Sequence, residues 1–426
     1  MKKEVAVFWF RRDLRLEDNC ALFQALNSKF TVLPIFIFDE NILNELPNND
    51  PRLQFIHQTL EKINSNLQMV SASLYVKRGL VLNVWKQILK EFDVKKVFFN
   101  NNYEPYATMR DAKITRLCES NKVQVHTFKD QVIFEKSEIT KQDGSPYIVY
   151  TPYKKKWLLK YQETNVPRYP SEKLINNFLK VIFKFPSLAA LGFGKSEIKV
   201  LPIDLTSINN YVLDRDIPSK TTSNASVHLR FGTVSVRRLF TYAIKTEATY
   251  TSELIWREFF MQILYHFPKV VGANFKKKYN FIEWRNNEVE FKLWCKGKTG
   301  YPIVDAGMRQ LNKTGYMHNR VRMITASFLC KHLLIDWKWG EAYFAEKLLD
   351  YELSSNNGNW QWVAGTGCDA VPYFRVFNPI TQQIKFDPDF KYINKWNPNY
   401  KKIPAIVEHK RARARYLNAV KASLLP

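Results

Sequence analysis

The first third of the chain alternates short apolar runs with stretches of helical periodicity. Val5–Phe10, Val32–Phe38, Ser73–Val76, Lys96–Phe99 and Gln124–Phe128 are short, β-branched and aromatic, which predicts strands. Between them, Pro51–Met69, Val81–Phe92 and Tyr106–Ser120 carry apolar residues at helical spacing. Strands alternating with helices predict βαβ units and a parallel sheet. Residues 1–130 therefore read as an open, Rossmann-like α/β domain, in which ligands sit outside the carboxyl ends of the strands.

The pattern weakens over residues 131–195. Prolines, lysines and polar residues dominate there, as in NVPRYPSEK, and a long interdomain linker is expected. Its lysine cluster TPYKKKW, Thr151–Trp157, reads as a solvated face. From residue 196 to 426 strand signals nearly vanish. Leu254–Phe267, Tyr301–Leu311, His318–Leu334 and Glu341–Leu349 are amphipathic and of helix length. The fold class is α/β plus all-α, and the α-helical C-terminal domain holds most of the tryptophans.

One stretch resists this apolar patterning. After Asp350 and Glu352, the residues Asn356, Asn357, Gly358, Asn359, Trp360 and Trp362 crowd together. Carboxylates and carboxamides are poor core material, because buried polar groups need partners. Mixed with large aromatics, they suit a pocket that grips a flat, hydrogen-bonding ligand such as a cofactor or nucleobase.

Charge narrows the partner. A formal net charge of +24 and 15% aromatic residues suggest a polyanion, nucleic acid before an acidic membrane, since rings stack on bases. The N-terminus lacks the h-region and cleavage site of a signal peptide, and no run of ~18 apolar residues predicts a membrane span. Five scattered cysteines, without CxxC or Cys/His spacing, predict free thiols in a reducing cytoplasm and no metal site. Walker, GxGxxG, HExxH and GxSxG motifs are absent from the sequence.

Three polar islands interrupt the helical half. In TTSNASVHLRFG, Thr222, Ser223 and Ser226 precede a helical pattern, so hydroxyls and free amides would meet at a helix N-terminus; this suits phosphate or ordinary capping. In ELIWREFF, Glu253 and Trp256 stand three apart on one helical face, where a ring would stack and a carboxylate would accept an N–H. In GYMHNRVRMITASF, Asn319, Arg322 and Met323 share a face that would line a heterocycle pocket, and His318 reads as a hydrogen-bonded structural histidine.

These islands, with VFWFRRDLRLEDNCAL, YVLDRDIP, GKTGYPIVDAGMRQL and NNGNWQWVAGTGCDAVPYFRVFNP, resemble the photolyase/cryptochrome flavoprotein family, nearest to class I cyclobutane pyrimidine dimer photolyases. The resemblance runs nearly end to end. It implies an antenna domain, a linker and a helical FAD domain. It also implies that Tyr211, Thr222, Ser223 and Ser226 hold the FAD phosphates and that Asn224 and Ala225 bind the cofactor. Arg322 and Asp350 would flank the isoalloxazine as an ion pair, with Arg257, Asn319 and Glu352 nearby, and Asn356 would face flavin N5. A carboxamide does not titrate, so Asn356 suits a fully reduced anionic flavin.

For the substrate, the resemblance implies damaged DNA with its dimer flipped out of the stack. Glu253, Trp256, Asn319, Met323 and Trp362 would meet the dimer, while Arg215, Arg320, Arg375 and Lys385 would contact phosphates. Trp360, Trp337 and Trp284 fall on the family's electron relay. Asn319 and Met323 stand where animal (6-4) photolyases carry histidines, which favours cyclobutane dimers. Glu352 departs from the usual Asp, leaving its role open. Tyr106 and Ala107 replace the Asn-Glu pair of folate-binding members. The second, antenna chromophore is then a deazaflavin, another flavin-like pigment, or absent. The implied activity is light-driven dimer repair by a monomer in the bacterial cytoplasm or nucleoid, with a cryptochrome-type photoreceptor as the alternative.

Overall fold

The computed structural model describes residues 3–424, so residues 1–2 and 425–426 of the two expected terminal domains lie outside it. Five parallel strands, β1 (Glu4–Phe10), β2 (Val32–Asp39), β3 (Tyr75–Gly79), β4 (Asp93–Asn100) and β5 (Gln124–Phe128), form one sheet in the order β3-β2-β1-β4-β5. β1 and β2 pair in the register Trp9↔Ile35 and are buried almost throughout, the state that a continuous apolar run predicts for a parallel sheet. β3 was expected at Ser73–Val76 but runs on through Lys77 and Arg78 to Gly79. It is an edge strand, where cations are tolerated and hide the pattern.

Residues 131–195 are not structureless. They carry the helix Tyr150–Glu163, with Tyr150, Tyr153 and Trp157 buried at 8%, 2% and 0% exposure. Lys154–Lys156 lie between those aromatics and masked the helical spacing. His318–Leu334 also differs from a single helix. It forms the helix Asn319–Ser327 followed by a π-turn, Phe328–His332. The remaining expected helices appear, with ends shifted by a few residues: Pro51–Gln68, Val81–Glu91, Pro105–Ser120, Ala248–His266, Pro302–Thr314 and Trp337–Lys347.

The chain divides into two compact units that interleave along the sequence. The first comprises residues 1–139, 157–203 and 224–243; the second comprises 140–156, 204–223 and 244–426. In the first unit, four buried charges tie residues 224–243 to the sheet's loops. Asp130 accepts from Arg15 Nη2 at 2.7 Å and from Arg237 Nη2 at 2.8 Å, and Arg237 Nε reaches Asp18 at 3.2 Å. Burial alone would push the Asp130 carboxyl up, but the two guanidiniums overcome it and hold it below the ordinary carboxylate range.

The second unit is helical, around a core that includes Trp294, Trp337 and Trp360. Two glycines stand at tight helix crossings. A Cβ on Gly340 would stand 2.1 Å from the Trp360 ring, and one on Gly358 would stand 2.2 Å from the Phe260 ring. The helices Trp337–Lys347, Leu353–Ala364 and Ala248–His266 meet only because these positions lack side chains.

Removing one member of a buried charge network leaves the others uncompensated. Asp130→Ala is expected to cost roughly 3–5 kcal/mol of stability. Chemical denaturation of the two proteins measures it, and a change under 1 kcal/mol would remove the network from this role.

Candidate functional site

The polar segment after Asp350 becomes a helix, Leu353–Ala364, whose amides divide into two groups. Asn357 and Gln361, one turn apart, both donate to the Val270 carbonyl at 3.0 Å, and Gln361 Oε1 accepts from Phe275 N at 2.9 Å. They are backbone clamps within the fold, not pocket groups. Asn359 is exposed and donates to the Ser355 carbonyl of its own helix. Asn356 differs: its Nδ2 donates to Glu341 O at 3.1 Å and to Glu341 Oε1 at 2.9 Å. Both donations go to one residue, which reserves the carboxamide oxygen as an acceptor. Glu341 is half-buried, and burial raises its carboxyl despite the Asn356 bond. Nothing in the sequence marked Glu341, because it reads as a surface position of an amphipathic helix.

Arg322 and Asp350 come together as expected. Arg322 Nη2 donates to Asp350 Oδ2 at 2.9 Å, and Arg322 Nε donates to the Met317 carbonyl at 2.8 Å. The second carboxylate oxygen, Asp350 Oδ1, is buried with no hydrogen-bond partner, as is Ser354 Oγ. Orphaned polar atoms of this kind can accept or donate to a partner outside the chain, water or a ligand. A free acceptor beside a guanidinium fits the edge of an isoalloxazine, which carries both N–H and C=O groups. Glu352 now has a local role. It is the N-cap residue of Leu353–Ala364, its carbonyl accepts from Asn356 N at 2.9 Å, and its carboxylate accepts from Ser355 Oγ at 2.7 Å. An anion there also complements the helix dipole.

Of the expected substrate residues, Glu253 and Trp256 lie on the helix Ala248–His266, and Arg215 is bonded to it. Arg215 Nη2 pairs with Glu253 Oε1 at 3.0 Å, and Arg320 Nη2 pairs with Asp216 Oδ1 at 2.6 Å. Two cations expected on phosphates thus carry carboxylate partners in this structure. Burial raises the Glu253 carboxyl, and Arg215 offsets part of that shift. Trp256 is half-buried, and one of its faces is covered by Tyr150. Arg257, on the same helix, is half-buried, as are Met323 and Trp362, whereas Asn319 is exposed. Arg375 and Lys385 are exposed cations. The Arg375 carbonyl accepts from the buried Lys331 Nζ at 2.8 Å, so a side chain that the sequence did not single out anchors that loop. Burial lowers the Lys331 amine to about 8.

Of the residues expected at the phosphates, Thr222–Ser226 are consecutive and Tyr211 precedes them; Tyr211, Thr222 and Ser223 belong to the second unit and the others to the first. Tyr211 opens the short helix Tyr211–Asp214 and meets Tyr250 edge-on at 5.0 Å, and Tyr250 Oη lies 2.9 Å from Ser223 Oγ. Thr222 is exposed. Asn224, Ala225 and Ser226 begin the helix Ala225–Phe231, which belongs to the first unit. Asn224 does not cap that helix with its side chain; it is left-handed at φ +53° and donates to the Pro202 carbonyl at 3.1 Å. Of the relay candidates, Trp360 and Trp337 are buried, and Trp284 is partly buried against the same core. Trp337 Nε1 donates to Asn274 Oδ1 at 2.8 Å.

In the first unit, the carboxyl ends of the strands carry their own polar groups. Tyr106 Oη donates to Asp39 Oδ2 at 2.5 Å, and the Arg110 guanidinium lies 4.9 Å over Trp9. A cavity of about 470 Å³ opens beyond β4 and β5, lined by Asn101, Phe128, Lys129, Glu135 and Tyr169 among others.

With this geometry in hand, the chain can be set beside known proteins. Residues 6–171 match the family model described as DNA photolyase, and residues 250–424 match that of the FAD binding domain of DNA photolyase. The deoxyribodipyrimidine photo-lyase of Halobacterium salinarum is 36% identical over 95% of this chain and 91% of its own length. The crystal structure of a bacterial class III photolyase from Agrobacterium tumefaciens aligns with a TM-score of 0.86 at 32% identity, covering 99% of this chain and 98% of that one. An archaeal photolyase from Sulfolobus tokodaii, solved with two FAD molecules, aligns with a TM-score of 0.81 at 32% identity, covering 98% and 100%. The chain belongs to the photolyase/cryptochrome family. Its helical unit contains the family's FAD-binding domain.

Two buried histidines give the second unit a pH dependence. His318 caps Asn319–Ser327, its Nδ1 accepting from Arg320 N, and burial, then Arg322, lowers it to about 4. Burial, then His409, lowers His332 to about 3. Both stay neutral when folded, whereas the unfolded chain protonates them near pH 6.5. Their stabilisation is therefore present above pH 6.5 and is lost as pH falls toward 4 and 3. At pH 5 each is expected to cost about 2 kcal/mol relative to neutral pH. His318→Asn retains a cap acceptor, so its unfolding midpoint should fall less between pH 7.5 and pH 5 than that of the parent. Equal slopes would show that His318 does not carry this effect.

Proposed function

We propose that the protein is a light-driven deoxyribodipyrimidine photo-lyase that splits cyclobutane pyrimidine dimers in DNA. The observation that carries this reading is the Arg322–Asp350 pair, with its orphaned carboxylate oxygen, inside an FAD-binding domain whose relatives are photo-lyases. In this reading Arg322 and Asp350 hold the edge of the isoalloxazine. Asn356 offers its oxygen to the flavin N5–H and, being unable to titrate, hands over no proton there. Tyr211, Thr222, Ser223 and Ser226 hold the phosphates, and Asn224, Ala225 and Arg257 are further contacts to the cofactor.

When bound, reduced FAD supplies the electron that light excites and the dimer receives. The chain's own residues bind and orient. Trp256 and Trp362 offer ring faces to the two bases. Glu253, its carboxyl raised by burial, and Asn319 offer polar groups to the base edges, while Met323 closes the side with a polarizable thioether. Arg215, Arg320, Arg375 and Lys385 face the backbone. For Arg215 and Arg320 this means exchanging a carboxylate partner for a phosphate, so DNA binding should weaken steeply with salt. Trp284, Trp337 and Trp360 pass electrons inward to an oxidised flavin.

Cyclobutane dimers are favoured over (6-4) lesions because Asn319 and Met323 supply no imidazole acid at the lesion. By its motifs the chain is of the class I type. It is read as a monomer of the bacterial cytoplasm, and its five free cysteines agree with a reducing compartment.

The test is repair itself. Protein with chemically reduced flavin is mixed with an oligonucleotide containing a thymine dimer and illuminated with blue light. Restoration of thymine absorbance, dependent on both light and reduced flavin, is the expected outcome. Flavin bleaching without any restoration is what a cryptochrome-type photoreceptor would give, and it would overturn the proposal.

A further inference from the structure

The tightest ring stack among the described residues lies on Trp256. Tyr150 covers one indole face with centroids 3.6 Å apart and planes 10° from parallel. Phe259 meets the indole edge-on at 5.5 Å, and Phe260 lies at 5.4 Å tilted by 29°, a looser contact than that of Tyr150. Tyr150 is itself held on three sides. Its Oη donates to the Ser252 carbonyl at 2.7 Å. Its backbone N–H, the first of the helix Tyr150–Glu163, donates to Asp369 Oδ2 at 3.0 Å. Its ring meets Phe259 edge-on at 5.8 Å. One turn on, Lys154 Nζ donates to Ser252 Oγ at 2.5 Å and adds a second tie to the same residue.

A tryptophan with one free face is a different binding group from one with two. An indole that is half-exposed and unsupported rotates among rotamers, and a base that stacks on it must first freeze it. A parallel ring fixed behind it removes that freedom before the ligand arrives. We propose that Tyr150 is a positioning residue for the substrate: it backs Trp256, fixes the indole plane, and leaves one face for an extruded pyrimidine. The inference rests on the reading of Trp256 as a substrate contact. It adds a residue from the segment read as a linker, and it gives Asp369 the task of anchoring that residue.

Three variants separate the possibilities: Tyr150→Ala, Tyr150→Phe and Trp256→Ala. Each is first checked for flavin content and photoreduction, which a local loss of stacking leaves alone and a collapse of the fold does not. Affinity is then measured for duplexes with and without a thymine dimer. Tyr150→Ala should bind the dimer duplex about fivefold more weakly, with undamaged duplex unaffected. Tyr150→Phe, which keeps the ring and loses only the bond to Ser252, should stay within about twofold of the parent.

If Trp256→Ala weakens dimer binding and Tyr150→Ala does not, the backing role is wrong while the pocket reading stands. If neither variant changes it, the pocket reading itself fails. Tighter dimer binding by Tyr150→Ala would mean that Tyr150 sits on the face the base needs, and would overturn the inference in favour of an obstructing ring. Should Tyr150→Ala lose flavin, Tyr150→Leu, which keeps apolar volume without a ring face, takes its place under the same criteria.

Discussion

The pairing of Arg322 with Asp350 is the interaction on which the rest of this site depends. The Asp350 side chain is only 6% exposed, and a carboxylate so buried is costly unless a cation and donors satisfy it. Arg322 satisfies one oxygen, and through its Nε it also holds the Met317 carbonyl just before the capped helix Asn319–Ser327. The pair thus fixes where that helix begins relative to the turn at Asp350. It leaves one carboxylate oxygen without a hydrogen-bond partner in the protein, open to a donor from a ligand.

Around that pair, the polar segment after Asp350 divides its labour more finely than its composition suggested. Asn357 and Gln361 bind backbone and hold the Val270–Phe275 stretch. Glu352 begins the helix. Asn356 gives both its donations to Glu341. Asp369, further along, holds Tyr150 behind Trp256. A run of amides and carboxylates that looks like one pocket wall is partly scaffold. The scaffold is what lets a few of its members face a ligand, because a polar side chain is useful in a pocket only when its neighbours fix its direction.

The parts of the molecule legible in the sequence are those with a strong local period. The buried strands β1 and β2 and the long amphipathic helices could be read directly. Boundaries failed where charge overlay the period, as at Lys77 and Arg78 of β3 and at Lys154–Lys156 of Tyr150–Glu163. The Arg322–Asp350 pair was legible only through family resemblance, since nothing local links residues 28 positions apart. Glu341, Lys331 and Tyr250 were not legible at all. Each acts through a tertiary contact with a residue that was; Glu341 and Lys331 sit in sequence that reads as ordinary helix, and Tyr250 lies just before such a stretch.

The proposed flavin site stands on Asp350 and its pairing with Arg322. The most direct measurement is FAD affinity of the flavin-free protein, followed by quenching of flavin fluorescence, for the parent and for Asp350→Asn. The amide keeps the shape and removes the charge. The account predicts an unchanged fold by circular dichroism and a dissociation constant raised roughly ten- to a hundredfold, the range for losing a charge-assisted hydrogen bond. Equal affinity in the two proteins would contradict it.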